Sequence, residues 1–197
     1  MLSSITPLGE RSRNQRYAVA VAWYVLGSIA GGATLGLLFG SLGDALETMF
    51  GSPPVAATLI AIAAIAAMLD GPLRHTVPLP TIRRQVNEDW LPLYRNWVYG
   101  VGFGVQLGAG LLTIVTSWMT YAMVIGLLVI GDIRVGVLTG FIFGLVRALP
   151  ILAGSRVTST GRLLALHQRI DATAGTMRWI CSAAVLGSCG AAILIST

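Results

Sequence analysis

The chain has 197 residues, 55% of them hydrophobic and 11% charged, with a mean hydropathy of +0.77. That charge is too sparse for the surface of a water-soluble domain of this length. The net charge of +5 is not a nucleic-acid signal either: every basic residue is Arg, placed in short segments between apolar runs, where the positive-inside rule and anionic headgroups account for it.

Residues Met1 to Arg16 read as a basic cytoplasmic tail, and 17–197 as a single transmembrane domain. The first apolar run, Tyr17 to Leu42, follows Arg11, Arg13 and Arg16 and is long enough to span, so it reads as a retained signal anchor. Trp23 and Tyr24 suit an interface. Gly32, Gly36 and Gly40 recur every fourth residue, which puts them on one face and lets another helix approach closely. The connection Gly43 to Pro54 carries Asp44 and Glu47 without Arg and belongs on the side opposite the tail. Span two, Val55 to Leu69, ends at Asp70–Gly71–Pro72. Asp70 is either a wet acid at a span end or a proton or cation site.

Leu73 to Asn96 is the longest polar stretch. Ile82, Val86, Trp90 and Leu93 share one helical face, with Arg83, Arg84, Glu88 and Asp89 largely elsewhere, as in an amphipathic helix in the headgroup plane or a docking surface for a soluble partner. From Trp97 to Gly131 no residue is charged, a length that suits two crossings of roughly 20 residues each. Span three, Trp97 to about Ser117, carries the ladder Gly100, Gly104, Gly108. It also holds Gln106 and Thr113; an intramembrane amide must find partners and serves either a substrate or a neighbouring helix. Span four, Trp118 to Ile130, is short. Asp132 and Arg134 then sit in a reversing turn at the surface.

Span five, Val135 to Ala153, repeats the ladder with Gly136, Gly140 and Gly144. Arg147 lies inside it, just before Pro150, which should bend the helix or free a carbonyl. An arginine there either snorkels or acts as an anion-binding or gating group beside a broken helix. In the connection Gly154 to Thr176, Leu163, Leu166 and Ile170 mark a second interfacial face flanked by Arg162 and Arg169. Span six, Met177 to Ile195, carries Cys181 and Cys189. Eight residues along one helix separates them by about 12 Å, beyond the roughly 7 Å a disulfide allows.

Six spans place both termini inside. The connection after span five, with Arg156, Arg162 and Arg169, would then lie outside, against the positive-inside rule. Either the amphipathic helix there overrides the rule, or one of spans three to five does not cross fully, and span four, by its length, is the suspect. The ladders in spans one, three and five form a weak internal repeat, expected of transporters and of tight helix packing alike.

His75 and His167 lie in separate connections, and no metal cluster, P-loop or nucleophile with a base can be assembled. Gly100-x-Gly102-x-Gly104 lies in a membrane helix, where a nucleotide loop loses its mechanism. No enzyme and no cofactor is expected. The glycine-rich helices, the proline-broken helix near Phe143–Pro150 and the short connections resemble the CcdA/DsbD type of transmembrane thiol–disulfide carrier and, more broadly, small LysE-like exporters. The resemblance implies a six-span all-α fold. It carries over no thiol exchange: those carriers place a cysteine near a proline in each of two helices, whereas both cysteines here lie in span six.

The expectation is an all-α polytopic transmembrane bundle of about six spans, with glycine-ladder helices and two interfacial amphipathic segments, in the bacterial inner membrane with the N-terminus cytoplasmic. Its function is that of a small-solute carrier with Gln106, Thr113, Asp132 and Arg147 as substrate-binding residues. The alternative is a non-catalytic subunit or scaffold of a larger membrane complex. Its partners are the bilayer and either further copies of itself or a different membrane protein.

Overall fold

The computed structural model describes residues 10, 16–51, 54–74, 76–81, 94–111, 115–153 and 160–196. The fold is all-α: α1 Tyr17–Phe50, α2 Val55–Asp70, α3 Asn96–Gly108, α4 Trp118–Ile130, α5 Ile133–Ala148 and α6 Thr160–Ser196, with one further helical turn at Pro150–Ala153 extending α5. α1 and the run Ile133–Leu152 are each long and apolar enough to cross a membrane.

α1 is the axis, and glycine decides what packs on it. A Cβ on Gly27 would meet the Val101 carbonyl oxygen at 2.5 Å, and one on Gly31 the Val105 Cα at 2.9 Å. Gly100 and Gly104 of α3 press in return on Ala20, Tyr24 and Ser28. Numbers rise together across this seam, so α1 and α3 are parallel. On a second face, Gly32 meets Gly140 and Gly144, Gly36 meets Gly136, and Gly40 meets Asp132 and Ile133. Here numbers run oppositely, so α5 is antiparallel to α1. The three ladders expected from the sequence thus form a single three-helix stack with backbone against backbone, the close approach that small residues permit in lipid. Ser28 sits where the two seams meet, fully buried, and its hydroxyl donates to the Gly144 carbonyl at 2.7 Å.

α2, α4 and α6 form a looser second layer. Leu59 of α2 lies beside Gly126 of α4, and Asp70 beside Trp118, so α2 and α4 are antiparallel. α6 pairs Ser182 with Gly71, and the Cys189 thiol points at the Ile60 carbonyl at 3.7 Å; it too is antiparallel to α2. α2 starts where α1 ends and runs back. Therefore α1, α3, α4 and α6 point one way, and α2 and α5 the other.

Of the six crossings expected, α1 and Ile133–Leu152 are the described helices long and apolar enough to span; α3 and α4 point the same way, whereas consecutive crossings alternate in direction. Span three also ends nine residues earlier than expected, at Gly108 rather than Ser117. Two other boundaries move. α1 continues through Asp44 and Glu47 to Phe50, since nothing in that stretch breaks a helix before Gly51, where φ is 83°. α6 begins at Thr160, so the second expected interfacial segment is the first half of one continuous helix. The first, at 82–93, lies outside the described residues. The tail is likewise not wholly free: Glu10 is fully buried and accepts a hydrogen bond from the Tyr99 hydroxyl at 2.5 Å.

Candidate functional site

The feature that organises the interior is the break between α3 and α4. α3 stops at Gly108, which lies directly on the Ser28 carbonyl, and the chain then turns. The Gly110 N–H donates to Leu107 O at 3.0 Å, and the Leu111 N–H to Ala109 O at 2.6 Å. Gly110 has φ 67°, a conformation glycine adopts without strain. A Cβ there would also meet the Phe143 ring at 2.7 Å.

Ser28 lies eleven residues past Tyr17, so α3 ends about 16 Å along α1. α4 runs on from the other side. Its Leu128 carbonyl packs on Gly43, which places Trp118 about 24 Å along the same axis at 1.5 Å per residue. Two half-length helices are therefore stacked end to end, with residues 109–117 between them.

α4 is started by two groups. The Ser117 hydroxyl accepts from the Met119 N–H at 3.1 Å. Asp70, at the end of α2 and 5% exposed, accepts from Ser117 Oγ at 2.5 Å and from the Trp118 N–H at 2.9 Å, with Met119 N at 3.4 Å. A carboxylate from one helix end thus meets the backbone donors left open at the start of another. The expectation that Asp70 is a wet acid fails: it is buried because it caps a neighbour. A second seam lies alongside. The Val115 N–H donates to Thr81 Oγ1 at 2.8 Å, and the Tyr121 hydroxyl donates to the Pro80 carbonyl.

Phe143 of α5 borders the break at Gly110, and Arg147 lies one turn further along α5. It is half-buried, its guanidinium lies 5.4 Å from the centroid of the Phe143 ring, and it interacts electrostatically with buried Tyr24. Phe143 thus contacts both Gly110 and Arg147. The carbonyl that Pro150 cannot serve is not freed: the Leu149 N–H takes Val146 O at 3.2 Å. Gln106 is half-buried and stands two residues from both Gly104 and Gly108, which turns it away from α1. It makes no side-chain hydrogen bond to another described residue. Asp132 is the N-cap of α5, accepting from the Arg134 N–H at 2.7 Å and the Val135 N–H at 2.9 Å. Arg147 lies fifteen residues further, about 22 Å along the helix, so these two do not share a site. Thr113 lies outside the described residues.

Sequence reasoning missed Ser28 and the capping role of Asp70, and it assigned Tyr24 to an interface, whereas Tyr24 is buried in the core. Ser28 stands inside the run Gly27–Gly32, and a hydroxyl embedded among packing glycines was the available signal. Nothing local pairs Asp70 with Ser117, 47 residues away. Among the described residues no group of His, Cys, Asp or Glu is arranged to hold a metal.

Long apolar helices, backbone-to-backbone glycine seams and apolar residues facing outward define a multi-helix membrane protein. Leu38, Leu138 and Met49 are 60%, 61% and 73% exposed, which lipid tolerates and water does not. No protein-family model and no solved structure matches the chain. It is similar to the methylamine utilization protein MauF of Paracoccus versutus, 31% identical over 156 residues, which are 76% of this chain and 55% of that protein. The MauF of Methylophilus methylotrophus is 29% identical over 156 residues, 76% of this chain and 53% of that protein. The MauF of Paracoccus denitrificans is 31% identical over 153 residues, 76% of this chain and 52% of that protein. The chain spans about half the length of these curated relatives.

Proposed function

We propose that the protein is a small-solute carrier of the bacterial inner membrane that crosses the bilayer five times, N-terminus cytoplasmic and C-terminus outside. The observation that carries this is the same-direction stacking of α3 and α4. Each is 13 residues long, about 20 Å, and neither alone fits a hydrocarbon core of about 30 Å. Together they make one interrupted crossing. Interrupted helices mark the binding sites of many carriers, because backbone freed from a helix at that depth must be buried in protein or face a wet cavity.

Five crossings also remove the charge conflict. The Arg-bearing connections after α2 and after α5 then both lie with the tail, and Asp44, Glu47 and Asp132 lie opposite with Arg134. The polar path runs past the break, with Arg147 and Gln106 on its inner side and Asp70 and Ser117 on its outer side. The name of the similar proteins makes methylammonium the first solute to test. The experiment is uptake into proteoliposomes: Arg147→Ala abolishes flux while the far-ultraviolet spectrum and elution volume stay unchanged. Unaltered flux removes Arg147 from the path.

One observation favours a second reading, a non-catalytic subunit. On α6, a Cβ on Gly175, Gly187 or Gly190 would meet nothing within 4 Å, and Met177, Trp179 and Ile180 are exposed. A small open face of this kind accepts another helix. A subunit co-purifies stoichiometrically with a different membrane protein in mild detergent; a carrier purifies alone or with its own copies.

A further inference from the structure

We propose that Arg147 and Tyr24 together form a binding site for a small monocarboxylate anion near the middle of the membrane. The proposal rests on the carrier reading for what happens to the anion, but not for its binding. Arg147 stands five residues before Leu152, the end of its apolar run. An arginine that merely snorkelled would reach past Leu152 towards the nearer surface. This one reaches the other way. Its guanidinium lies 5.4 Å from the centroid of the Phe143 ring, one turn back along α5, the direction in which helical side chains lean. Phe143 is ten residues from Ile133 and nine from Leu152, so each end of the run is about 14–15 Å away. The charge is thus held at depth, beside a ring that itself packs on Gly110.

The guanidinium finds no acid there. Among the described residues its partners are the Phe143 ring and Tyr24, and none of them accepts a hydrogen bond from its five N–H groups. Tyr24 reaches the same place from α1. Ser28 meets Gly144 across the antiparallel seam, so Tyr24, one turn before Ser28, lies level with Ala148, one turn after Gly144; the two share a core cluster. Tyr24 is 6% exposed, and its hydroxyl likewise makes no hydrogen bond to another described residue. Buried polar groups are almost always hydrogen-bonded, and a cation inside a membrane is almost always paired. Two unserved groups that interact with each other therefore call for a third that accepts hydrogen bonds and is negative. A guanidinium fork fits a carboxylate through two parallel N–H···O bonds, and the Tyr24 hydroxyl can donate another. One positive charge balances one negative charge, so a monoanion matches this pair better than a doubly charged phosphate. The same charge repels methylammonium, which narrows the choice left by the relatives' name.

The test is equilibrium binding of radiolabelled glycolate to the full chain in dodecyl maltoside micelles, with unlabelled glycolate, sodium phosphate and methylammonium chloride as competitors. The parent should bind saturably, with displacement by glycolate, weakly by phosphate and not by methylammonium. Tyr24→Phe, losing one hydrogen bond to a charged acceptor, should weaken binding about tenfold, and Arg147→Gln, losing the charge and two bonds, about a hundredfold. Arg147→Lys keeps the charge without the fork and should fall between the parent and Arg147→Gln, which separates loss of the site from loss of the fold. No saturable binding to the parent overturns the proposal. So does equal affinity in Arg147→Gln, or displacement by phosphate or methylammonium as strong as by glycolate. A lipid headgroup is the rival source of the anion: if phosphatidylglycerol added to the micelles displaces glycolate and phosphatidylcholine does not, the site belongs to lipid and the solute assignment falls. Uptake into proteoliposomes is measured separately. Glycolate binding without uptake keeps the site and removes the carrier reading, whereas methylammonium uptake without glycolate binding does the reverse.

Discussion

Substituting Gly36 by Ala tests whether the helix stack is held by backbone contact. The added Cβ would stand 2.7 Å from the Gly136 carbonyl carbon and 3.2 Å from the Gly140 Cα. Ordinary contact needs roughly 3.5–4 Å, so α1 and α5 must separate by about 1 Å. A gap of that size forfeits a quarter to a half of each contact's attraction along the ladder. Overpacking of this kind costs about 1–3 kcal/mol, against a gain of about 0.5–1 kcal/mol from replacing a helical glycine. The net expectation is destabilisation by about 1–2 kcal/mol. Gly187→Ala is the matched control: a Cβ there meets nothing within 4 Å, so only the propensity gain of about 0.5–1 kcal/mol remains. Urea or sodium dodecyl sulfate titration in detergent micelles, followed by tryptophan fluorescence, reads both. If Gly36→Ala leaves the midpoint unchanged or raises it, the glycine seams do not hold the fold together.

Asp70→Ala removes a buried cap as well as a charge, and should cost about 2–3 kcal/mol in the same titration, with faster amide exchange confined to the first turn of α4; protection unchanged at Trp118 and Met119 would refute the cap. Ser28→Ala deletes the hydroxyl bond to Gly144 and should cost about 1 kcal/mol; a variant as stable as the parent would show that bond to be dispensable. Cys181 is exposed and Cys189 buried, so maleimide in mild detergent should modify one thiol per chain, at Cys181; two fast thiols would contradict the packing of α6 on α2.

Much of the architecture was readable from residue spacing. A glycine every fourth residue predicts a flat helix face: the α1 and α5 ladders meet each other, and the α3 ladder packs on Ala20, Tyr24 and Ser28 of α1. α4 has the limits read from its apolar run, because Ser117 and Gly131 are a conventional cap and stop. The end of α3 was not readable. Its apolar run continues past Gly108 through Leu111 and Leu112 without a charge, although the chain turns at Gly110, where φ is 67°. The direction of α4 was hidden for the same reason: hydropathy reports whether a segment suits lipid, not which way it points. The suspicion that span four does not cross fully came from its length and from the misplaced arginines.

The candidate site was legible in part. Arg147 stood out as a cation inside an apolar run, and it lies beside Phe143, the residue that meets Gly110. Asp132 stood out for its charge, but an Asp before a helix is first of all a cap. Asp70 looked ordinary because its partners lie far along the chain, and only the fold brings them within hydrogen-bonding distance.

The number of crossings is settled most directly by a reporter joined to the C-terminus. Alkaline phosphatase fused after Thr197 folds only outside the inner membrane, and green fluorescent protein matures only inside. Five crossings with a cytoplasmic N-terminus predict an active phosphatase and a dark fluorescent fusion. An inactive phosphatase with a bright fluorescent fusion would return both termini to the same side, and the interrupted third crossing would have to be abandoned.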